Sequence, residues 1–129
     1  MTLHERLESL GISVTTGFGM DKDGLYLPEL KLIFVNNKLS DIERENAILH
    51  ELGHLVSLHE DFVSESPAVH LRQEGEADCY MIRARAEEYL GFFDETPEIL
   101  DVNAFLDAYH FENRLFSSAD KIFREILEN

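Results

Sequence analysis

The chain has 129 residues, of which 44% are hydrophobic and few are glycine or proline, a composition typical of one folded domain and not of a disordered chain. Its 11 Lys and Arg against 26 Asp and Glu give a formal net charge of −15, which argues against direct binding to nucleic-acid phosphates or anionic lipid. A single cysteine, a charged N-terminal stretch and the lack of an apolar run of roughly 20 residues predict a cytoplasmic protein without a membrane span.

The first third of the chain predicts a short helix followed by a small sheet. Thr2 and Glu5 have the spacing of a capping box, and Gly11 is a typical stop, so a helix is expected between them. Residues 12–37 are rich in β-branched residues and contain a turn signal, while Pro28 favours an edge or a bend. We expect an antiparallel or mixed sheet of about three strands.

Two longer helices are predicted next. Ser40 and Glu43 form a second capping box, which opens a helix over about 41–59. Its apolar residues surround most of the helix, so it is expected in the centre of the domain. Ser66 precedes a proline, a common helix start, and the following helix is expected to end at Leu90.

The C-terminal part predicts further helices. Thr96, followed by a proline, is expected to open one helix, and Ser117 is expected to cap the last. The fold class is therefore α+β, with a small sheet packed on a mainly helical domain. We expect a single domain over 1–129, with a motif-bearing core at about 10–90 and C-terminal helices at 97–129.

The predicted central helix contains the motif HELGH, in which His50 and His54 lie four residues apart. Residues at this spacing share one helix face, so both imidazoles can reach one cation, and zinc binds neutral imidazole well. Glu51 lies about 100° round the helix, beside the cation, where it can act as the general base for a water molecule. Gly53 destabilises a helix by roughly 1 kcal/mol relative to alanine, which suggests a close approach there.

The alternative interpretation is a buried helix that happens to hold two histidines. Burial of two imidazoles and a carboxylate without partners is costly, so a metal ion accounts for the motif more simply. A catalytic zinc needs a third protein ligand. A third histidine further along the same helix is excluded, because the corresponding positions hold Ser57 and Glu60.

The next predicted helix offers acidic residues as the third ligand. Glu74 and Asp78 are four residues apart and share a face, whereas Glu76 lies about 200° away from Glu74. We expect Glu74 to bind the metal and Asp78 to accept a hydrogen bond from the outer nitrogen of a ligand histidine. In so acidic a chain, a solvated acidic surface is the alternative. Zinc is the expected ion, and the same ligands also accept Mn²⁺ or Fe²⁺.

HELGH followed about twenty residues later by EGEAD resembles the ImmA/IrrE family of metallopeptidases, in which HExxH precedes a Glu-x-x-Ala-Asn/Asp helix. A strand that ends in Asn before the metal helix is also similar, and the resemblance covers roughly residues 10–90. It implies a zincin-like, gluzincin-like domain with His50, His54 and Glu74 as ligands and Glu51 as the catalytic residue.

The same resemblance implies endoproteolysis of a regulatory protein. Several similar members are encoded by phages or mobile elements and cleave a helix-turn-helix repressor, and the acidic surface would suit a basic repressor as partner. Strand 30–35 is then expected to be the edge that pairs with an extended substrate.

Four other residues are candidates for polarising the scissile carbonyl: His59, His70, Tyr26 and Tyr80. The alternative for the two histidines is an ordinary surface or loop position, and the alternative for Tyr80 is a place in the core. Cys79 is next to Asp78 and is expected to be a small buried hydrophobe.

Two other functions remain open at the level of the sequence. The chain could be a non-catalytic metal-containing antirepressor that binds and sequesters its partner. It could also bind no metal at all. Incubation with the repressor followed by mass spectrometry separates a binding protein from a peptidase. Zinc content, and melting with and without chelator, test whether the chain binds a metal.

Overall fold

The computed structural model describes residues 1–57 and 66–128 of the chain. Within these ranges the elements are α1 (Leu3–Leu10), β1 (Ser13–Gly17), β2 (Gly24–Leu27), β3 (Leu32–Asn36), α2 (Asp41–Val56), α3 (Pro67–Leu90), α4 (Val102–Ala108) and α5 (Phe116–Glu128). Short 3-10 turns over Pro28–Leu30 and Asn113–Leu115 precede β3 and α5. The predicted α+β class, with a small mixed sheet, is confirmed.

Both predicted capping boxes form. The amide of Glu5 donates to the Thr2 hydroxyl at 3.1 Å, and the amide of Glu43 donates to the Ser40 hydroxyl at 3.3 Å. Each glutamate in turn accepts from the amide of its capping residue. Gly11 ends α1 in the left-handed conformation with φ of 69°, which glycine adopts without steric cost. These short-range patterns therefore fix where α1 and α2 begin.

The sheet has the order β1-β3-β2, with β3 parallel to β1 and antiparallel to β2. The prediction that strand 30–35 is the substrate-accepting edge is therefore wrong, because both sides of β3 are already hydrogen-bonded. Its Ile33 and Val35 are fully buried, as expected of the central strand. The edge strands are β1 and β2. Pro28, which has no N–H, directly follows β2 and fits the edge position.

Helices α2 and α3 cross at Gly53. A Cβ atom added at Gly53 would lie 2.8 Å from the Ala77 Cα and 2.9 Å from its carbonyl oxygen. Only a glycine therefore allows this separation of the two backbones, and the fully buried Ala77 supplies the small side chain on the other helix. The close approach that the sequence suggested at Gly53 is therefore an approach between the backbones of α2 and α3.

Three predicted boundaries need correction. Helix α2 ends at Val56, earlier than the predicted 59, and residues 58–65 lie outside the described ranges. Helix α4 does not start at Thr96; it starts after Asp101, whose carboxylate accepts from the Ala104 amide at 3.1 Å and so caps the helix. Ser117 does not cap the last helix, because the preceding 3-10 turn runs directly into α5 at Phe116.

Among the described residues, two apolar clusters form the interior, one where α2 covers the sheet and one among the helices α2 to α5. The first contains Ile12, Ile33, Val35, Ala47, Ile48 and Leu52. The second contains Leu49, Met81, Ile82, Ala86, Val102, Phe105, Leu106, Tyr109, Phe111, Leu115, Ala119, Ile122 and Phe123. Helix α2 contributes to both clusters, so it lies in the centre of the fold as its all-round apolar pattern predicts.

A buried arginine joins α2 to α3. The side chain of Arg85 is only 4% exposed; its Nε donates to the Asn46 side-chain oxygen at 2.8 Å, and its Nη2 donates to the Ile42 carbonyl at 3.0 Å. Its Nη1 contacts the carboxylates of Glu45 and Glu88 at 3.2 and 3.3 Å. Because each donor group is satisfied, this charge is compatible with burial and ties the two helices together.

Cys79 is exposed, so the prediction of a buried hydrophobe is wrong. The buried face of α3 carries Ala77 and Met81, and Cys79 lies about 200° round the helix from each of them. Among the described helices, none is both long and apolar enough to cross a bilayer.

Candidate metal centre

The side chains of His50, His54 and Glu74 converge at the crossing of α2 and α3. His50 Nε2 lies 2.8 Å from Glu74 Oε2, and His54 Nε2 lies 3.2 Å from Glu74 Oε1. The two imidazole rings are edge-to-face, with centroids 4.9 Å apart and an interplanar angle of 87°. One carboxylate therefore faces the Nε2 atoms of both histidines.

The local folding of each helix explains this convergence. The spacing of His50 and His54 places both on one face of α2. The close contact between Gly53 and Ala77 brings α3 against that face, and Glu74 lies three residues before Ala77, about one turn away on the same side of α3. The glycine inside the motif thus sets the distance between the histidines and the glutamate.

Asp78 contacts the other side of the His50 ring, where its Oδ1 lies 3.1 Å from Nδ1. Burial alone would lower the pKa of His50, but hydrogen bonds to Asp78 and Glu74 raise it to about 9. The same hydrogen bonds from His50 and His54 hold the pKa of Glu74 well below its usual range. Without a metal ion, His50 and Glu74 therefore favour their charged forms, and a bound cation can replace the proton of His50.

The three convergent side chains fit a zinc ion. One ligand atom from each of His50, His54 and Glu74 lies within 4.8 Å of the others. Two ligands of a tetrahedral zinc, each about 2.0–2.1 Å from the ion, lie roughly 3.3 Å from each other. The Nε2 atoms of His50 and His54 lie 2.8 and 3.2 Å from two different oxygens of Glu74, which is at or somewhat below that value. Two imidazoles and one carboxylate also leave a fourth position for water or substrate, as catalytic zinc requires.

Glu51 lies beside this cluster on the side of the sheet. Burial raises the pKa of its carboxyl group, and the nearby His50 and His54 act in the opposite direction. Within residues 1–57 and 66–128, its carboxylate makes no hydrogen bond to another side chain or to the backbone. Gly24, at the start of β2, packs so closely that an added Cβ would lie 3.2 Å from Glu51 Cγ. Strand β2 therefore limits where Glu51 can move.

A cleft of about 1390 Å³ opens over the cluster. One wall is the edge strand β2 with the loop before it, and the other is α3 together with residues 110–118. Asn36 shapes the first wall, because its side-chain amide donates to the carbonyls of Met20 and Lys22 at 3.2 and 3.1 Å.

The four candidate electrophiles are not equivalent. Tyr26 on β2 and His70 on α3 both line the cleft. Tyr80 does not, since its hydroxyl accepts a hydrogen bond from Arg6 Nη1 at 2.9 Å on another side of α3. His59 lies outside the described residues.

A model of peptidase family M78, described as the IrrE N-terminal-like domain, matches residues 7–100 of the chain. The chain belongs to this family. The match confirms the resemblance that HELGH and EGEAD indicate. Membership supports a peptidase role, and the cluster of His50, His54 and Glu74 supports a metal-dependent one. No curated protein matches the chain.

Sequence reasoning missed two residues beside the cluster. Gly24 looks like an ordinary turn glycine, and its contact with Glu51 depends on how the sheet meets α2. Arg114 lies in the 3-10 turn before α5, where its Nη1 is 3.4 Å from Asp78 Oδ2. The two residues of that pair are 36 positions apart, so no local pattern could have indicated it.

Proposed function

We propose that the chain is a zinc-dependent endopeptidase that cleaves a regulatory protein. The observation that carries the proposal is the convergence of two imidazoles and the Glu74 carboxylate, with Glu51 beside them in an open cleft. Membership of a peptidase family supports the same class of reaction.

In this proposal His50, His54 and Glu74 hold Zn²⁺, and Asp78 accepts the Nδ1 proton of His50 and so fixes the orientation of that ring. Zinc, when bound, lowers the pKa of water toward neutrality and polarises the scissile carbonyl. Glu51 takes a proton from the attacking water while the oxygen of that water bonds to the carbonyl carbon of the substrate. When the peptide C–N bond breaks, Glu51 returns that proton to the leaving amine. The raised pKa of Glu51 favours this exchange.

The substrate would enter as an extended peptide along β2. The antiparallel pairing of β2 with β3 uses one side of the strand, and β2 forms a wall of the cleft beside Glu51. An extended peptide can add to such an edge through backbone hydrogen bonds. Tyr26 and His70 remain the candidates for polarising the carbonyl, since both line this cleft.

A basic helix-turn-helix repressor of a phage or mobile element is the proposed substrate, and the cytoplasm is the proposed compartment. The net charge of −15 would attract a basic partner by long-range steering. The ImmA/IrrE resemblance points to the same class of substrate.

The test is incubation of zinc-loaded protein with the repressor encoded beside its gene, followed by mass spectrometry. Wild-type protein is expected to yield two defined fragments, and Glu51→Gln is expected to retain zinc while losing cleavage. Glu76→Gln is the matched control, because Glu76 is an exposed carboxylate on α3 that does not line the cleft. Cleavage by Glu51→Gln at the wild-type rate would refute the mechanism.

The same experiment separates the alternatives. An intact repressor in a stable one-to-one complex would favour a binding protein that sequesters its partner. A protein that binds no zinc, and whose melting temperature a chelator does not change, would exclude a metal-dependent function.

A further inference from the structure

We propose that Arg114 is a positioning residue of the metal centre, which holds Asp78 and through it His50, so that the segment after α4 completes a site built by α2 and α3. The proposal rests on the proposed zinc site. Two contacts that share Asp78 carry the proposal. His50 Nδ1 lies 3.1 Å from Asp78 Oδ1, and Arg114 Nη1 lies 3.4 Å from Asp78 Oδ2.

The two contacts use different oxygens of Asp78, whose side chain is 14% exposed. A carboxylate held by a single hydrogen bond can rotate about its terminal torsion, which is broad and roughly two-fold. A second partner on the other oxygen restricts that rotation. The direction in which Asp78 presents Oδ1 to His50 therefore depends on Arg114.

Arg114 is itself held in place. Its Nε donates to Glu112 Oε2 at 2.9 Å, so the planar guanidinium is fixed at two of its nitrogens. The neighbouring Leu115 is 5% exposed and Phe111 is 9% exposed, and both belong to the helical core. The Phe111 amide also donates to the Leu106 carbonyl at 2.9 Å. An exposed side chain thus extends from a segment that is anchored on both sides.

This segment lies outside the family match, which ends at residue 100. Arg114 therefore lies outside the residues that the family model matches. It also lines the cleft, on the wall opposite β2. The segment after α4 would then support the metal centre as well as line the cleft.

The positive charge of Arg114 acts on zinc affinity in the direction opposite to its positioning of Asp78. A positive charge near a bound cation weakens binding, but Arg114 is 61% exposed, so solvent screening limits that effect to about twofold in affinity. Loss of an outer partner of a metal ligand typically costs 10–100-fold in metal affinity. Arg114 acts one contact further out, so we expect about a three- to tenfold loss when it is removed.

The experiment measures zinc affinity of the full chain by competition with a chelating dye. Arg114→Gln is expected to bind zinc about three- to tenfold more weakly, and Arg114→Lys, which keeps the charge without the planar fork, is expected to lie between it and wild type. Arg124→Gln is the matched control: it breaks an exposed pair with Asp120 on α5, 3.1 Å long, and should leave the affinity unchanged. Tighter binding by Arg114→Gln would show that only its charge matters and would overturn the proposal.

A double-mutant cycle tests whether Arg114 acts through Asp78. In an Asp78→Asn background, Arg114→Gln should cause no further loss of zinc affinity, whereas an undiminished additional loss would overturn the proposal. In the zinc-loaded Arg114→Gln variant, the Nδ1 proton of His50 is expected to exchange faster with solvent by NMR. The melting temperature of the metal-free variant should match that of wild type, which separates positioning from a general loss of stability.

The failures of the two proposals are distinguishable. Wild-type protein that binds no zinc would overturn the proposed function and this inference together. Zinc binding by wild type with unchanged affinity in both Arg114 variants would overturn this inference alone.

Discussion

Substitution of Gly53 by alanine is expected to push α2 and α3 apart. The new Cβ would lie 2.8 and 2.9 Å from backbone atoms of Ala77 and 3.0 Å from Tyr80 Cβ. Backbone atoms within a helix cannot rotate away as the end of a side chain can, so the helices themselves must shift. Glu74 would move with α3, away from the histidines on α2.

Two opposing effects set the magnitude. Alanine in place of glycine favours a helix by about 1 kcal/mol. Overpacking of a close contact typically costs about 1–3 kcal/mol, and contacts with backbone atoms place Gly53 toward the upper end. The expected net result is a loss of about 1–2 kcal/mol in the free energy of unfolding. For a chain of 129 residues this corresponds to a fall in melting temperature of roughly 3–8 °C.

Thermal unfolding followed by circular dichroism measures the effect on chelator-treated protein, and Gly75→Ala is the matched control. Gly75 is also helical, and a Cβ added there has no atom within 4 Å among the described residues. The control should be stabilised by up to about 1 kcal/mol. The two substitutions are thus expected to have opposite signs. A Gly53→Ala protein as stable as wild type, with unchanged zinc affinity, would refute the reasoning.

Three further predictions follow from other contacts. Arg85→Met should lower the free energy of unfolding by about 1–3 kcal/mol in urea titrations, because it leaves the buried side-chain oxygen of Asn46 without its donor. For metal-free protein, the stability from the raised pKa of His50 is fully present below about pH 6.5 and lost as pH rises to about 9, so the melting temperature should fall across that window; a flat profile would contradict the role of Asp78 and Glu74. Gly24→Ala, whose Cβ would lie 3.2 Å from Glu51 Cγ, should lower kcat for cleavage more than zinc affinity, and an equal loss of both would contradict it.

Short-range patterns made much of the fold predictable. Capping boxes such as Ser40 with Glu43 depend on residues three apart, and the spacing of His50 and His54 depends only on helix geometry. The expectation that Glu74 and Asp78 share a face of α3 has the same basis. The structure brings His50, His54, Glu74 and Asp78 together at one place.

The features that the sequence did not predict depend on tertiary contacts. The strand order places β3 in the centre, and that order is set by pairing between strands that a linear pattern does not specify. Thr96 has the residue type of a cap, but Asp101 lies where α4 packs into the helical core and provides the actual cap. Arg114 reaches Asp78 because the turn that carries it is anchored in the helical core by Leu115.

The most direct test of the metal centre is an anomalous difference map, recorded at the zinc edge from crystals of the zinc-loaded protein. The account predicts one strong peak about 2.0–2.2 Å from His50 Nε2, His54 Nε2 and the Glu74 carboxylate, with Asp78 still in contact with His50 Nδ1. A peak held by other side chains, or no peak at the crossing of α2 and α3, would contradict it.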